Sequence, residues 1–194
     1  MKRFFNKKWL ICILAFFSVG VSAACALSSY WRPSCAWVSH QPLAGWVHYN
    51  SLEGGFSVSL PQDPNIEHGQ ITVPESKGPI TYLQLKSYQG KQICYAVGYL
   101  PMPEKWGWVS QKTVLKKVLD VVVSEDAQAQ LISQTLVNEG GRTVLEYHLH
   151  AHGEDVLGRL FIVDGKLFRM TATTTTPCAH AKVESEAFFN SFAT

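Results

Sequence analysis

No aspartate or glutamate precedes Glu53 in this 194-residue chain. The opening quarter is therefore cationic or neutral, and acidic residues begin only where a folded domain would. Charged residues make up just 16% of the chain against 46% hydrophobic ones, which excludes a disordered, highly charged protein. No Cys-x-x-Cys pair occurs, so neither a zinc ribbon nor a dithiol redox motif is present. There is also no Gly-x-Ser-x-Gly elbow, no His-Glu-x-x-His helix and no phosphate-cradling glycine loop. These absences argue against the common hydrolase, metalloprotease and nucleotide-binding classes. The reading is of a non-enzymatic protein, with a small hydrolase of unrecognised site as the remote alternative.

What stands at the start is an export signal. Lys2, Arg3, Lys7 and Lys8 form a basic region, Trp9 to Val21 is almost wholly apolar, and Ser22, Ala23 and Ala24 are small. That order predicts a signal peptide over residues 1–24. The apolar run falls short of the roughly 20 residues that span a bilayer, which weighs against an uncleaved membrane anchor. Two processing routes stand open. Ala24-Cys25-Ala26 fits ordinary signal peptidase, giving a mature start at Leu27. Val21 to Cys25 also resembles a lipobox, in which Cys25 would carry the lipid, although Ser22 stands where leucine is preferred. Either route implies export to the periplasm or a lipoprotein on a membrane face.

Removing residues 1–24 changes the charge balance. Lys and Arg fall from 17 to 13 while Asp and Glu stay at 15, so the mature net charge is 13 − 15 = −2 rather than +2. A nucleic-acid partner loses its electrostatic footprint; for an exported binding module an envelope protein is the expected partner. Of the cysteines left downstream, Cys35, Cys94 and Cys178 allow one disulfide in an oxidising compartment or none.

Residues 25–45 are rich in Ser, Pro and Gly without periodicity and read as a tether, with Trp31 and Trp37 placed to dock on the domain. From Trp46 to Thr194 the pattern is that of a folded α+β domain. Val47 and Tyr49, then Phe56, Val58 and Leu60, alternate around Glu53-Gly54-Gly55, which predicts a hairpin. A second hairpin is expected from Ile80–Ser87 and Gln92–Tyr99. Ser110 is placed to cap a helix whose apolar stripe is Val114, Leu115, Val118, Leu119 and Val122. Strands follow over Leu131–Val137, Arg142–Ala151, Val156–Val163 and Lys166–Thr174. Their expected turns are Gly140-Gly141, Gly153-Glu154-Asp155 and Asp164-Gly165. A closing helix from Ala179 to Phe192 should bury Val183, Phe188 and Phe192. Strands, helix, strands, helix describe an antiparallel sheet with helices packed on it.

Four phrases in this order resemble the PsbP-like superfamily. They are Tyr49-x-Ser51-x-Glu53-Gly54-Gly55-Phe56 running to Pro61; Gly140-Gly141-Arg142 leading to Glu146-Tyr147; Val163-Asp164-Gly165-Lys166-Leu167-Phe168; and Phe188-Phe189-Asn190-Ser191-Phe192. Phe168 stands where the superfamily usually has tyrosine. The resemblance spans Trp46 to Phe192 and implies an α/β/α sandwich, of a kind mostly described as non-enzymatic binding or assembly modules. It carries over no binding residues.

Two stretches are candidates for chemistry. In the strand Arg142–Ala151, the residues Glu146, His148 and His150 project to one face, and His152 continues their row. Neighbours in that row lie about 6.6 Å apart at Cα, and His148 to His152 about 13 Å. Two imidazoles at a time can share a zinc or copper ion, with Glu146, Glu154 or another segment completing the site. A solvated strand face or a pH-responsive surface are the alternatives. The second stretch is Pro101 to Trp108, where Trp106 and Trp108 form either an exposed partner contact or a lid packed on the sheet.

Overall fold

The computed structural model describes residues 43–72, 78–90, 92–175 and 179–194. The expected export signal over residues 1–24, the expected tether as far as residue 42, Cys25, Cys35, Cys178, Trp31 and Trp37 lie outside these residues. Among the described residues no helix is long and apolar enough to cross a membrane.

The described residues open with hairpin β1 (Val47–Ser51) and β2 (Phe56–Leu60). Phe56, Val58 and Leu60 are all buried, every second residue of the strand, as the alternation requires. The Ser51 hydroxyl accepts from the Gly54 amide at 3.0 Å and pins the turn. Next come β3 (Asn65–Thr72), β4 (Pro79–Gln89) and β5 (Ile93–Pro101), then a short 3-10 turn over Glu104–Trp108. Helix α1 (Gln111–Glu125) starts at Ser110, whose side chain accepts from the Thr113 amide at 3.3 Å. Four strands follow, β6 (Gln130–Glu139), β7 (Arg142–Ala151), β8 (Glu154–Val163) and β9 (Lys166–Thr174). Helix α2 (Ala179–Asn190) closes the chain.

Strands β3 to β9 form one antiparallel sheet in the order β3-β4-β5-β9-β8-β7-β6. Helix α1 covers one face of the β6–β8 half, burying Val114, Leu115, Val118 and Leu119 against Leu145, Tyr147 and Leu160. Helix α2 and the β1–β2 hairpin cover the other face. There Phe56, Val58 and Leu60 meet Tyr95, Phe161, Phe168 and Phe188. The sheet is thus the middle layer of an α/β/α sandwich, as expected. Residues along each strand feed the two cores alternately: Leu167 goes to the first, Phe168 to the second.

Tyr147 has a particular task in this sheet. It stands directly opposite Gly158, and a Cβ at Gly158 would collide with the Tyr147 ring. The ring lies across the glycine of the next strand, and its hydroxyl accepts from Arg169 Nε at 2.9 Å. Tyr82 lies over Gly69 in the same way across β4 and β3.

Three expectations need correction. Strand β3 was not legible: Ile66 and Ile71 are its only aliphatics, an odd number apart, and it exists because β4 offers it an edge. The turn between β7 and β8 is His152-Gly153, not Gly153-Glu154-Asp155. Both turn residues have positive φ (54° and 79°), as a two-residue hairpin turn of type I′ requires, so Glu154 and Asp155 already belong to β8. In α2, Val183 is 50% exposed while Glu184 and Ser185 are buried. At 100° per residue, Glu184 and Ser185 flank Phe188 on the wheel, whereas Val183 is about 140° away.

Candidate functional site

Register decides what the histidines do. With the turn at His152-Gly153, His150 pairs with Asp155 and His148 with Leu157. His148 Nε2 donates to Asp155 Oδ1 at 3.0 Å, and His150 Nδ1 donates to the same oxygen at 3.2 Å. Partial burial pushes Asp155 up, but these two hydrogen bonds outweigh it and hold the carboxyl below the usual carboxylate range. His152 leaves the row. As a turn residue it donates instead to Asp126 Oδ2 at 2.8 Å, and Asp126 is the C-cap of α1. That bond ties the β7–β8 hairpin tip to the helix end on the sheet's other side.

Glu146 is also engaged elsewhere. Its Oε1 accepts from Arg159 Nη2 at 2.8 Å, and Arg159 in turn reaches Glu139 at 3.3 Å and Asn190 at 3.2 Å. The guanidinium sits 5.2 Å from the Phe189 ring centre. The expected four-residue row is therefore split three ways: His148 and His150 on Asp155, His152 on Asp126, Glu146 on Arg159. Among the described residues no group of three or more His, Cys, Asp or Glu is arranged to hold a metal ion.

The face itself is partly covered. Val144, at the start of the row, is fully buried under α2. Farther along, α2 diverges toward β9 and β2 and leaves an open groove of about 320 Å³ over β6–β8. Its floor is Ser133, Thr135, Glu146, His148 and Arg159, and Lys182 stands on its wall.

The tryptophans divide sharply. Trp106 is 3% exposed, in the core with Leu100, Val114 and Leu167, while Trp108 is 92% exposed. A 3-10 turn has three residues per revolution, so Pro103, Trp106 and Val109 share its inner side. Trp106 N donates to Pro103 O at 2.9 Å, and Val109 N to Trp106 O at 3.0 Å. Two residues on, Trp108 must face away. The lid and the exposed contact are thus two different side chains.

A further group was not legible. Glu53, in the β1–β2 turn, accepts from His68 at 3.0 Å and from the Tyr99 hydroxyl at 3.2 Å. The His68 bond holds Glu53 below its usual range; burial, then the Glu53 charge, pushes Tyr99 up to about 12. Lys166 donates to Gly54 O at 2.7 Å. The cluster nails the turn to the sheet, yet its neighbour Leu52 is 93% exposed. Leu52 and Trp108 emerge at the same end of the sheet: Met102, which leads into the 3-10 turn, bonds to Gly165 O, next to Lys166. No sequence pattern joins Glu53, His68, Tyr99 and Lys166; only the folded registers do.

No family model matches this sequence, and no curated protein matches it. Among solved structures, the chain is similar to the solution structure of cyanobacterial PsbP (CyanoP) from Synechocystis sp. PCC 6803. The identity is 17%, the match covers 83% of this chain and 97% of that one, and the TM-score is 0.51. The chain has the PsbP-like fold. A Pseudomonas aeruginosa protein of unknown function is also similar, at 14% identity and a TM-score of 0.40 over 75% of this chain and 91% of that one. Most residues of the PsbP-like phrases are scaffold, while Glu146 and Asn190 also line the groove. Glu53-Gly54-Gly55 and Gly140-Gly141 are hairpin turns, Tyr147 covers Gly158, and Phe188 and Phe192 are core. The likeness is one of fold.

Proposed function

We propose that this protein is an exported, non-enzymatic binding and assembly module of the bacterial cell envelope, tethered through a lipid on Cys25. It engages an envelope protein partner through Trp108. The observation that carries this reading is the contrast between two neighbouring indoles, one at 3% and the other at 92% exposure. A large aromatic held fully in solvent on a turn anchored by its buried neighbour is a ready contact residue, since Trp is enriched among residues that dominate interface energetics. Leu52, emerging at the same end, extends the contact. The test is capture from native envelopes with the exported chain as bait, followed by mass spectrometry of the N-terminus. Trp108→Ala is expected to lose the specific partner without losing the fold. A partner retained undiminished by Trp108→Ala would remove the reading.

Zinc or copper binding by the histidine face is a second reading, favoured by the meeting of His148 and His150 on one Asp155 oxygen. Asp155 then takes the place expected of Glu146, and side-chain rotation must bring the imidazoles together. Calorimetry with Zn²⁺ and Cu²⁺ is expected to give saturable binding that His148→Ala/His150→Ala abolishes. Equal heats for both proteins would end it.

A further inference from the structure

Strand β6 is one edge of the seven-stranded sheet, and its sequence is unusual for an edge. From Gln130 to Asn138 it carries no charge and no proline; Glu139 is its first ionisable residue. Six of its ten residues are exposed, including Ile132 at 51%. Soluble proteins ordinarily protect long edges with charge, proline or short length, because an open row of amides and carbonyls pairs with any compatible strand. The opposite edge follows that practice: β3 carries Glu67 in an ion pair with Lys86, and His68 is hydrogen-bonded to the Glu53 carboxylate. On β6 the sole guard is a bulge between Leu131 and Ser133, near one end. A neutral, β-prone stretch such as Leu131 to Val137 left open is an aggregation hazard, so in the working protein it calls for a partner strand.

The sequence of the strand indicates which. Leu131-Ile132-Ser133-Gln134-Thr135-Leu136-Val137 is close to a palindrome about Gln134: hydroxyls flank it at Ser133 and Thr135, then aliphatics at Ile132 and Leu136, then Leu131 and Val137. A two-fold interface is self-complementary by construction, each residue i meeting j while j meets i. An antiparallel pair related by an axis through Gln134 sets hydroxyl beside hydroxyl and aliphatic beside aliphatic, with no charge opposing its like. The bulge lies outside the central triplet, so the ladder closes over Ser133 to Thr135 while the aliphatic ends pack as side chains.

We propose that β6 is a homodimerisation edge, pairing antiparallel with β6 of a second copy to form one continuous fourteen-stranded sheet. The axis runs perpendicular to the sheet and keeps faces together. The two grooves, each floored by Ser133 and Thr135, then run side by side on one surface, with the junction at their centre.

The experiment uses the exported chain carrying Cys25→Ser, so that no lipid contributes to association. Light scattering and sedimentation equilibrium across a dilution series are expected to give twice the chain mass, dissociating on dilution. Gln134 is exposed, so Gln134→Lys and Gln134→Glu should keep the parent's far-ultraviolet circular dichroism and melt cooperatively, lower than the parent only by the stability that association lends it. Each sets like charges across the axis and is expected to be monomeric alone; an equimolar mixture is expected to regain the dimer. Should Gln134→Lys lose the parent's circular dichroism or its cooperative melt, Ser133→Lys against Ser133→Glu serves in its place. A parent that stays monomeric at every concentration, single variants that still dimerise, or a mixture that remains monomeric would each overturn the proposal. A strand donated by a different protein would appear as the first of these outcomes.

Discussion

Trp106→Ala is expected to destabilise the domain by about 3–5 kcal/mol, whereas Trp108→Ala changes stability by no more than about 0.5 kcal/mol. The two residues share a turn and a side-chain type, so the difference isolates burial. Trp106 packs in one core with Leu100 of β5, Val114 and Val118 of α1 and Leu167 of β9, and its removal leaves a cavity in that core. That region joins the first half of the sheet to α1, so loss of the indole also loosens the entry to the helix. Against a typical total of about 5–15 kcal/mol, the loss is a large fraction of what keeps the domain folded. Urea unfolding of the two variants beside the parent measures it. Equal losses in both, or a loss below about 1 kcal/mol for Trp106→Ala, would contradict the burial argument.

The doublet also illustrates what the sequence could reveal. Pro101 to Trp108 suggested a lid or a contact but offered no period to choose between them. The choice came from a 3-10 turn, too short to leave a hydrophobic pattern. Longer elements were easier to read. Asp164-Gly165 and Gly140-Gly141 marked hairpins because few other residue pairs adopt positive φ at both turn positions, and Ser110 marked a helix start because its hydroxyl satisfies an otherwise orphaned amide. Strand β3 stayed hidden because this edge strand, exposed on both faces from Asn65 to His68, needs few apolar residues to pair with β4. The histidine site failed by a single residue. With the turn set at Gly153 to Asp155, Asp155 looked like loop; moving the turn back to His152-Gly153 places it opposite His150 and within reach of His148. The Gly140-Gly141 turn hands its strands over without slack, and the same rule applied at His152-Gly153 would have found the pair. Glu53, His68 and Tyr99 had no such route, because a turn and two separate strands bring them together.

Phe168→Ala is expected to cost about 3–5 kcal/mol and to release the C-terminal segment before the rest of the domain. The Phe168 ring is the hub of the second core. Its centroid lies 5.6 Å from Phe56, 5.4 Å from Phe161, 5.1 Å from Phe192 and 5.8 Å from Tyr99. Edge-to-face and stacked contacts of this kind add about 0.5–1.5 kcal/mol per pair beyond the area they bury. Phe192 depends on it most directly, since it follows the last turn of α2 and packs on Phe56, Phe161 and Phe168. The next residue, Ala193, exchanges two backbone hydrogen bonds with Ser57 of β2, at 2.8 and 3.0 Å. Those bonds persist because the Phe192 ring holds the backbone in place. Without Phe168 the ring faces a cavity, and the entropy of freeing a terminal segment opposes redocking. Amide hydrogen exchange should therefore accelerate at Ser57 and Ala193 more than at Tyr95 or Val97 in the middle of β5. Uniform acceleration across the sheet would mean instead that the aromatic cluster and the C-terminal bridge open only with global unfolding.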